Sequence, residues 1–233
     1  VTEAGFVTKT MWLAAKDLRI EMRARDTLAP MLGFAATVAL VLAFALPEAS
    51  SAGDDVVSYV QAGFMWVTVL FAGLIGFGRT FEVERAEGAL DSLLLVPVDR
   101  SALFVSKALS NLAFIVVLET VLLPLSALLF AYDLGGSWGA LVAVVALVDV
   151  GFVAVGTLYA ALAAQTRSRE LLLPLLALPA LIPVFIAALE LTADLLLGAG
   201  FDALAARGWF GILVAFDVVF VTAGAVLFDA VLD

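Results

Sequence analysis

The chain has 233 residues, no cysteine, no histidine and a formal net charge of −10. Those absences exclude disulfides, thiolate or imidazole metal sites, cysteine nucleophiles and any triad with a histidine base. A hydrophobic share of 64% and a mean hydropathy of +1.14 exclude an ordinary soluble domain, and the acidic balance argues against nucleic acid, whose phosphates need clustered Lys and Arg.

Residues 6–25 read as an amphipathic helix. Met11, Ala15, Leu18 and Met22 recur at helical spacing, while Lys16, Arg19 and Arg23 share another face. A basic helix of this kind binds anionic headgroups. The first 27 residues contain no apolar core, so no cleavable signal peptide is expected. Asp26 or Thr27 offers an N-cap for the next helix, with Pro30 in its first turn.

A bilayer core of about 30 Å takes about 20 residues of helix. Six apolar runs fit that length: 28–46, 59–78, 108–131, 139–163, 171–190 and 209–230. The second is rich in glycine (Gly63, Gly73, Gly76, Gly78), read as positions of close helix packing. A short loop joins the third and fourth as an antiparallel hairpin. The fifth carries Pro174, Pro179 and Pro183, which are expected to kink or break it. Residues 191–206, interrupted by Asp194, Gly198, Gly200 and Asp202, read as a re-entrant or surface-lying pair of short helices.

Lys and Arg mark the cytoplasmic side of short loops. With six spans, all of the 12 cations except Arg207 fall on one side, in the N-terminal segment, in 79–107 and in the 164–170 turn. Both termini are therefore expected in the cytoplasm, in the plasma membrane of a prokaryote.

The charge-rich segment 79–100 lies between spans two and three. Ala86, Ala89, Leu90, Leu93 and Leu94 fall on one helical face, and Pro97 stops the helix. No phosphate-binding loop occurs anywhere, so any nucleotide must be bound by another chain. The 80–96 helix is the natural contact for that chain; the plainer reading is a solvated loop helix without a partner. Ionisable groups inside spans are candidates for function. Here they are Glu119, Asp149 and Asp217, with Glu190 near the outer end of span five. Two readings stand beside each other: a polar lining or proton-linked site, and interhelical hydrogen bonds that hold the bundle, helped by Asn111, Thr120 and Thr157.

At the residues Phe81, Glu84, Arg85, Gly88, Leu90, Pro97 and Arg100, followed by Ser101, Lys107, Ser110 and Asn111, the chain resembles the cytochrome c maturation protein B family. The N-terminal KDLRIEMRAR, the fifth-span RSRELLLPLLALPALIPVFIAALE and the closing WFGILVAFDVVFVTAGAVLFDAVLD are similar to it too. That family belongs to the ABC-2-type exporter permeases. The resemblance implies an all-α integral membrane protein. It would have an amphipathic interface helix over 1–27 and a six-helix permease over 28–233, with a cytoplasmic coupling helix at 79–100. It implies a homodimer in membrane lipid that works with a separate ABC ATPase, a haem-handling C subunit and a membrane-anchored haem chaperone. The ATPase would dock on Phe81, Glu84, Arg85, Gly88 and Leu90. No family role transfers to Asp149.

Haem iron takes His, Cys, Met or Tyr as axial ligand, and this chain offers only four Met and three Tyr. Haem and ATP are therefore expected to be handled by partners, with no cofactor and no catalysis in this chain. That favours energy coupling over haem carriage. The alternatives are an ABC-2 exporter permease for a lipid, drug or polysaccharide, and a non-transport scaffold for a cytochrome assembly complex.

Overall fold

The computed structural model describes residues 5–45, 53–82, 100–130, 137–166 and 169–231. These residues form eight α-helices and no strand: α1 (Phe6–Ala24), α2 (Leu28–Ala45), α3 (Asp54–Gly78), α4 (Arg100–Phe130), α5 (Trp138–Ala164), α6 (Arg169–Leu196), α7 (Phe201–Ala206) and α8 (Trp209–Val231). Glu84, Arg85, Gly88 and Leu90 of the expected docking helix lie outside the described residues.

Five helices, α3, α4, α5, α6 and α8, are long and apolar enough to cross a membrane. The 18 residues of α2 reach about 27 Å at 1.5 Å per residue. It joins α1 through a 66° bend, and the bent pair counts as the sixth candidate. The protein is thus an all-α, multi-pass integral membrane protein. Several spans run longer than their apolar runs, because α3 begins at Asp54 and α4 at Arg100.

α5 is the central helix, packed against α3, α4, α6 and α8. Lipid tails are as apolar as leucine, so helices associate through close fit rather than through burial from water. Phe152 on α5 shows this fit. Its ring meets Phe77 edge-on at 4.9 Å and Phe185 at 5.1 Å. Two glycines make room for the cluster: a Cβ at Gly73 would strike Phe152, and one at Gly156 would strike Phe77. Gly76 likewise leaves space for Met31 of α2. Of the four second-span glycines, Gly73 and Gly76 are thus close-packing positions, whereas a Cβ at Gly63 or Gly78 would make only ordinary contact.

Two expectations are corrected. The prolines of span five do not break it, since α6 runs continuously from Arg169 through Pro174, Pro179 and Pro183 to Leu196. Each proline removes one donor, and such gaps are tolerated where neighbouring helices hold the segment; α6 packs on α3, α5 and α8. Residues 191–206 are not a pair of short helices. Their first part is the last turns of α6, with Leu191, Ala193 and Leu195 fully buried, and only Phe201–Ala206 forms a separate six-residue helix. Gly198, at φ +84°, supplies the left-handed residue that ends the long helix.

Packing at Gly156 generates a test. Gly156→Val should force a side chain into Phe77 and lower stability by about 1–3 kcal/mol, the usual cost of overpacking. Gly139→Ala, where a Cβ meets open space, should be neutral. Thermal denaturation of the detergent-purified variants measures both.

Candidate functional site

α1, the end of α3 and the start of α4 converge at one end of the bundle, called here the base. α1 reaches it with three distinct sides. Thr10, Ala14 and Glu21 are buried, with Asp17 beside them on the same face. Met11 and Met22 are exposed on one flank, and Arg19 and Arg23 on another. Short residues on the packed side let α1 approach α4, where Ser110 Oγ lies 3.0 Å from Ser106 O and 3.5 Å from Ala14 O.

Within this seam the ammonium of Lys107 lies 3.0 Å from Asp17 Oδ2, with both side chains largely buried. Lys16 reaches the other oxygen of Asp17 at 3.2 Å. Lys107 also stands 5.4 Å above the ring of Phe81, a cation–π contact. Taking an ammonium out of water costs several kcal/mol unless a close partner compensates. Asp17 and the phenyl face are that compensation, and they fix α1, α4 and the chain after α3 relative to one another.

The bend between α1 and α2 has its own lock. Arg25 adopts φ 56°, and its N–H donates to Glu21 O at 2.8 Å. The Glu21 side chain then accepts the N–H groups of Thr27 at 2.9 Å and Leu28 at 2.8 Å. A buried carboxylate thus caps the start of α2, where the helix dipole favours negative charge. The cap expected from Asp26 or Thr27 is supplied instead from across the bend.

Beyond α3 the chain is tied inward twice. Thr80 Oγ1 donates to Asn111 Oδ1 at 3.1 Å, and Asn111 Nδ2 donates to Thr157 Oγ1 at 2.9 Å, which links α3, α4 and α5. Phe81 is buried and stacks toward Phe228, which meets Phe104 at 5.4 Å. A Cβ at Gly224 would strike Phe104, so this glycine lets α8 close over the cluster. Phe81, one of the residues expected to dock the ATPase, is therefore turned inward, against Phe228 and beneath Lys107.

The intramembrane acids separate into two groups. Glu119 on α4 and Asp149 on α5 share a side-chain hydrogen bond, which needs one carboxyl O–H donor. Asp149 and Asp217 each keep one buried oxygen without a protein partner. Asp217 Oδ1 rests where a Cβ on Gly151 would come within 2.5 Å of it. Thr120 bonds only its own helix at Val116 O, so of the three expected polar bridges only Asn111 and Thr157 join helices. At the opposite end, Glu190 accepts from Tyr59 at 3.2 Å, and Arg207 donates to Asp194 at 2.9 Å. That pair pins α7 and its flanking turns to α6. Among the described residues no group of three or more Asp or Glu is placed to hold a metal ion.

At the base, buried polar and aromatic contacts join the N-terminal helix, the bundle and the residues that directly follow α3, Thr80 and Phe81. Sequence reading placed Lys107 among loop cations and missed its pairing with Asp17. The available signal was a lone lysine among the small residues Ala102, Ser106 and Ser110 at the start of α4.

A family model described as CcmB protein matches residues 8–233. The heme exporter protein B of Rhodobacter capsulatus is 30% identical over 183 residues, which cover 77% of this chain and 80% of that protein.

Removing one partner of a buried ion pair costs about 3–5 kcal/mol, because the other charge is stranded. Asp17→Asn and Lys107→Met should each approach that loss, while the double variant loses far less than the sum. The more exposed Arg79–Glu82 pair, 3.7 Å apart, should contribute about 0–1 kcal/mol. A double-mutant cycle by thermal denaturation reads both.

Proposed function

This chain belongs to the CcmB protein family, and from that premise we propose that it is the membrane permease subunit of an ABC complex in haem export for cytochrome c maturation. The observation that carries the reading is the family match across residues 8–233, nearly the whole chain. ATP is hydrolysed by a partner chain, since this one has no phosphate-binding loop. The other partners in this reading are a haem-handling C subunit, a membrane-anchored haem chaperone and a second copy of this chain.

The mechanism follows from the base. The ATPase docks in the cytoplasm on the segment that holds Glu84, Arg85, Gly88 and Leu90. Motion delivered there reaches the bundle through Phe81, through Thr80 on Asn111, and through Arg100 at the start of α4. Lys107 passes it to Asp17 and so to α1, whose exposed Met11 and Met22 lie in the headgroup layer. The Glu21 cap makes α1 and α2 turn together. The output is delivery of haem, or release of the haem-loaded chaperone, by the assembled complex. Carriage of haem by this subunit itself is disfavoured, because histidine and cysteine are absent.

Deletion of the gene should abolish c-type cytochromes while b-type haem proteins persist. Complementation with the native chain restores them. Glu84→Lys or Arg85→Glu should weaken co-purification of the ATPase and lower cytochrome output in parallel. Normal c-type cytochromes in the deletion strain would refute the role, and unchanged ATPase pairing in both variants would refute the docking assignment.

A further inference from the structure

Glu119 on α4 and Asp149 on α5 are hydrogen-bonded partners that the mechanism above does not use. Glu119 lies eleven residues before the end of α4 at Phe130, and Asp149 eleven residues after the start of α5 at Trp138. At 1.5 Å per residue both sit about 16 Å below the helix ends opposite the base, near the middle of an apolar layer of about 30 Å. Only 3% of Glu119 and 2% of Asp149 is exposed. The two acids therefore meet at one depth, shut away from both water and lipid.

Two ionised carboxylates have no hydrogen to share, and at this distance like charges repel strongly where no water screens them. Among the described residues no cation offsets them. Lys107 lies more than three turns away along α4 and is engaged with Asp17 of α1 at the base. Helix α2 has no titratable residue. Tyr159 is ten residues further along α5 toward the base, and Arg79 follows the base end of α3. Tyr59 of α3, Glu190 and Asp194 of α6 and Arg207 gather at the opposite end. Asp217 of α8 faces α5 at Gly151. None of these acts on the pair, in which the one charged neighbour of either carboxyl is the other. What offsets the charge is a proton. Asp149 Oδ1 is also buried without a protein donor, so the pair has an open acceptor on the side from which a proton donor can approach.

We propose that Glu119 and Asp149 form an intramembrane proton-binding site, in which the proton between them clasps α4 to the central helix α5. Release of the proton to a water at Asp149 Oδ1 gives a hydronium and leaves two carboxylates face to face, which undoes the clasp. An amide at either position would hold the helices together without any proton. Carboxyls at both make the contact conditional on one. The site goes beyond the permease reading and stands whether or not an ATPase drives the bundle.

Infrared spectroscopy of the full chain in bilayers at neutral pH reads the carbonyl stretch of protonated carboxyls. Asp217→Asn removes the third intramembrane acid and serves as the reference. The reference should show a protonated-carboxyl band that shifts when H2O is replaced by D2O. Because the proton belongs to the pair, Glu119→Gln and Asp149→Asn, each added to the reference, should both abolish that band. The exchanged variant, Glu119→Asp with Asp149→Glu, keeps both carboxyls and should retain it, which separates proton binding from misfolding. Absence of the band from the reference or from the exchanged variant, a band that does not shift in D2O, or one that survives unchanged in either single variant would overturn the proposal.

Discussion

Lys107 carries its ammonium into the seam between α1 and α4, almost out of reach of solvent, and the charge is tolerated there because Asp17 approaches to 3.0 Å and Phe81 offers its ring face. Each of the three groups comes from a different part of the chain. The pair cannot form unless α1 lies across the base, α4 starts on time and the chain beyond α3 turns inward. A buried ion pair is poor evidence of net stability, since apolar replacements often do as well. It is better evidence of specificity: one geometry satisfies both charges, and other placements of α1 strand them.

Around that pair the remaining polar contacts at the base act in the same direction. Glu21 sets the angle between α1 and α2, and the Thr80–Asn111–Thr157 chain joins α3 to α4 and α5. The bundle above is held by fit, with Phe77, Phe152 and Phe185 set into spaces that Gly73 and Gly156 leave open. A stiff bundle on a pinned base suits a subunit that receives displacement at one segment and passes it on.

Much of this was legible in the sequence, and the physical reason is that bilayer thickness sets the length of apolar runs. Each of the six runs coincides with a helix, and Gly73 of span two sits where the ring of Phe152 intrudes. Helix ends were harder to read. Asp54 and Arg100 extend their helices past the apolar run, where hydropathy no longer reports on backbone structure. Local rules failed where tertiary contacts overrode them: α6 stays helical through three prolines, and Glu21 caps α2 from across a bend. The Asp17–Lys107 pair spans 90 positions, and no periodicity or spacing encodes such a partner. Glu119 and Asp149 were singled out as isolated acids, yet their mutual bond depends on the relative rotation of α4 and α5.

In the proposed mechanism the base transmits displacement through the charge pair between α1 and α4. Its most direct measurement is c-type cytochrome formation in strains carrying Asp17→Lys, Lys107→Asp, or both exchanges together. The account predicts that each single exchange abolishes cytochrome output while the ATPase still co-purifies, and that the double exchange restores much of it. Normal output from either single exchange would contradict the claim.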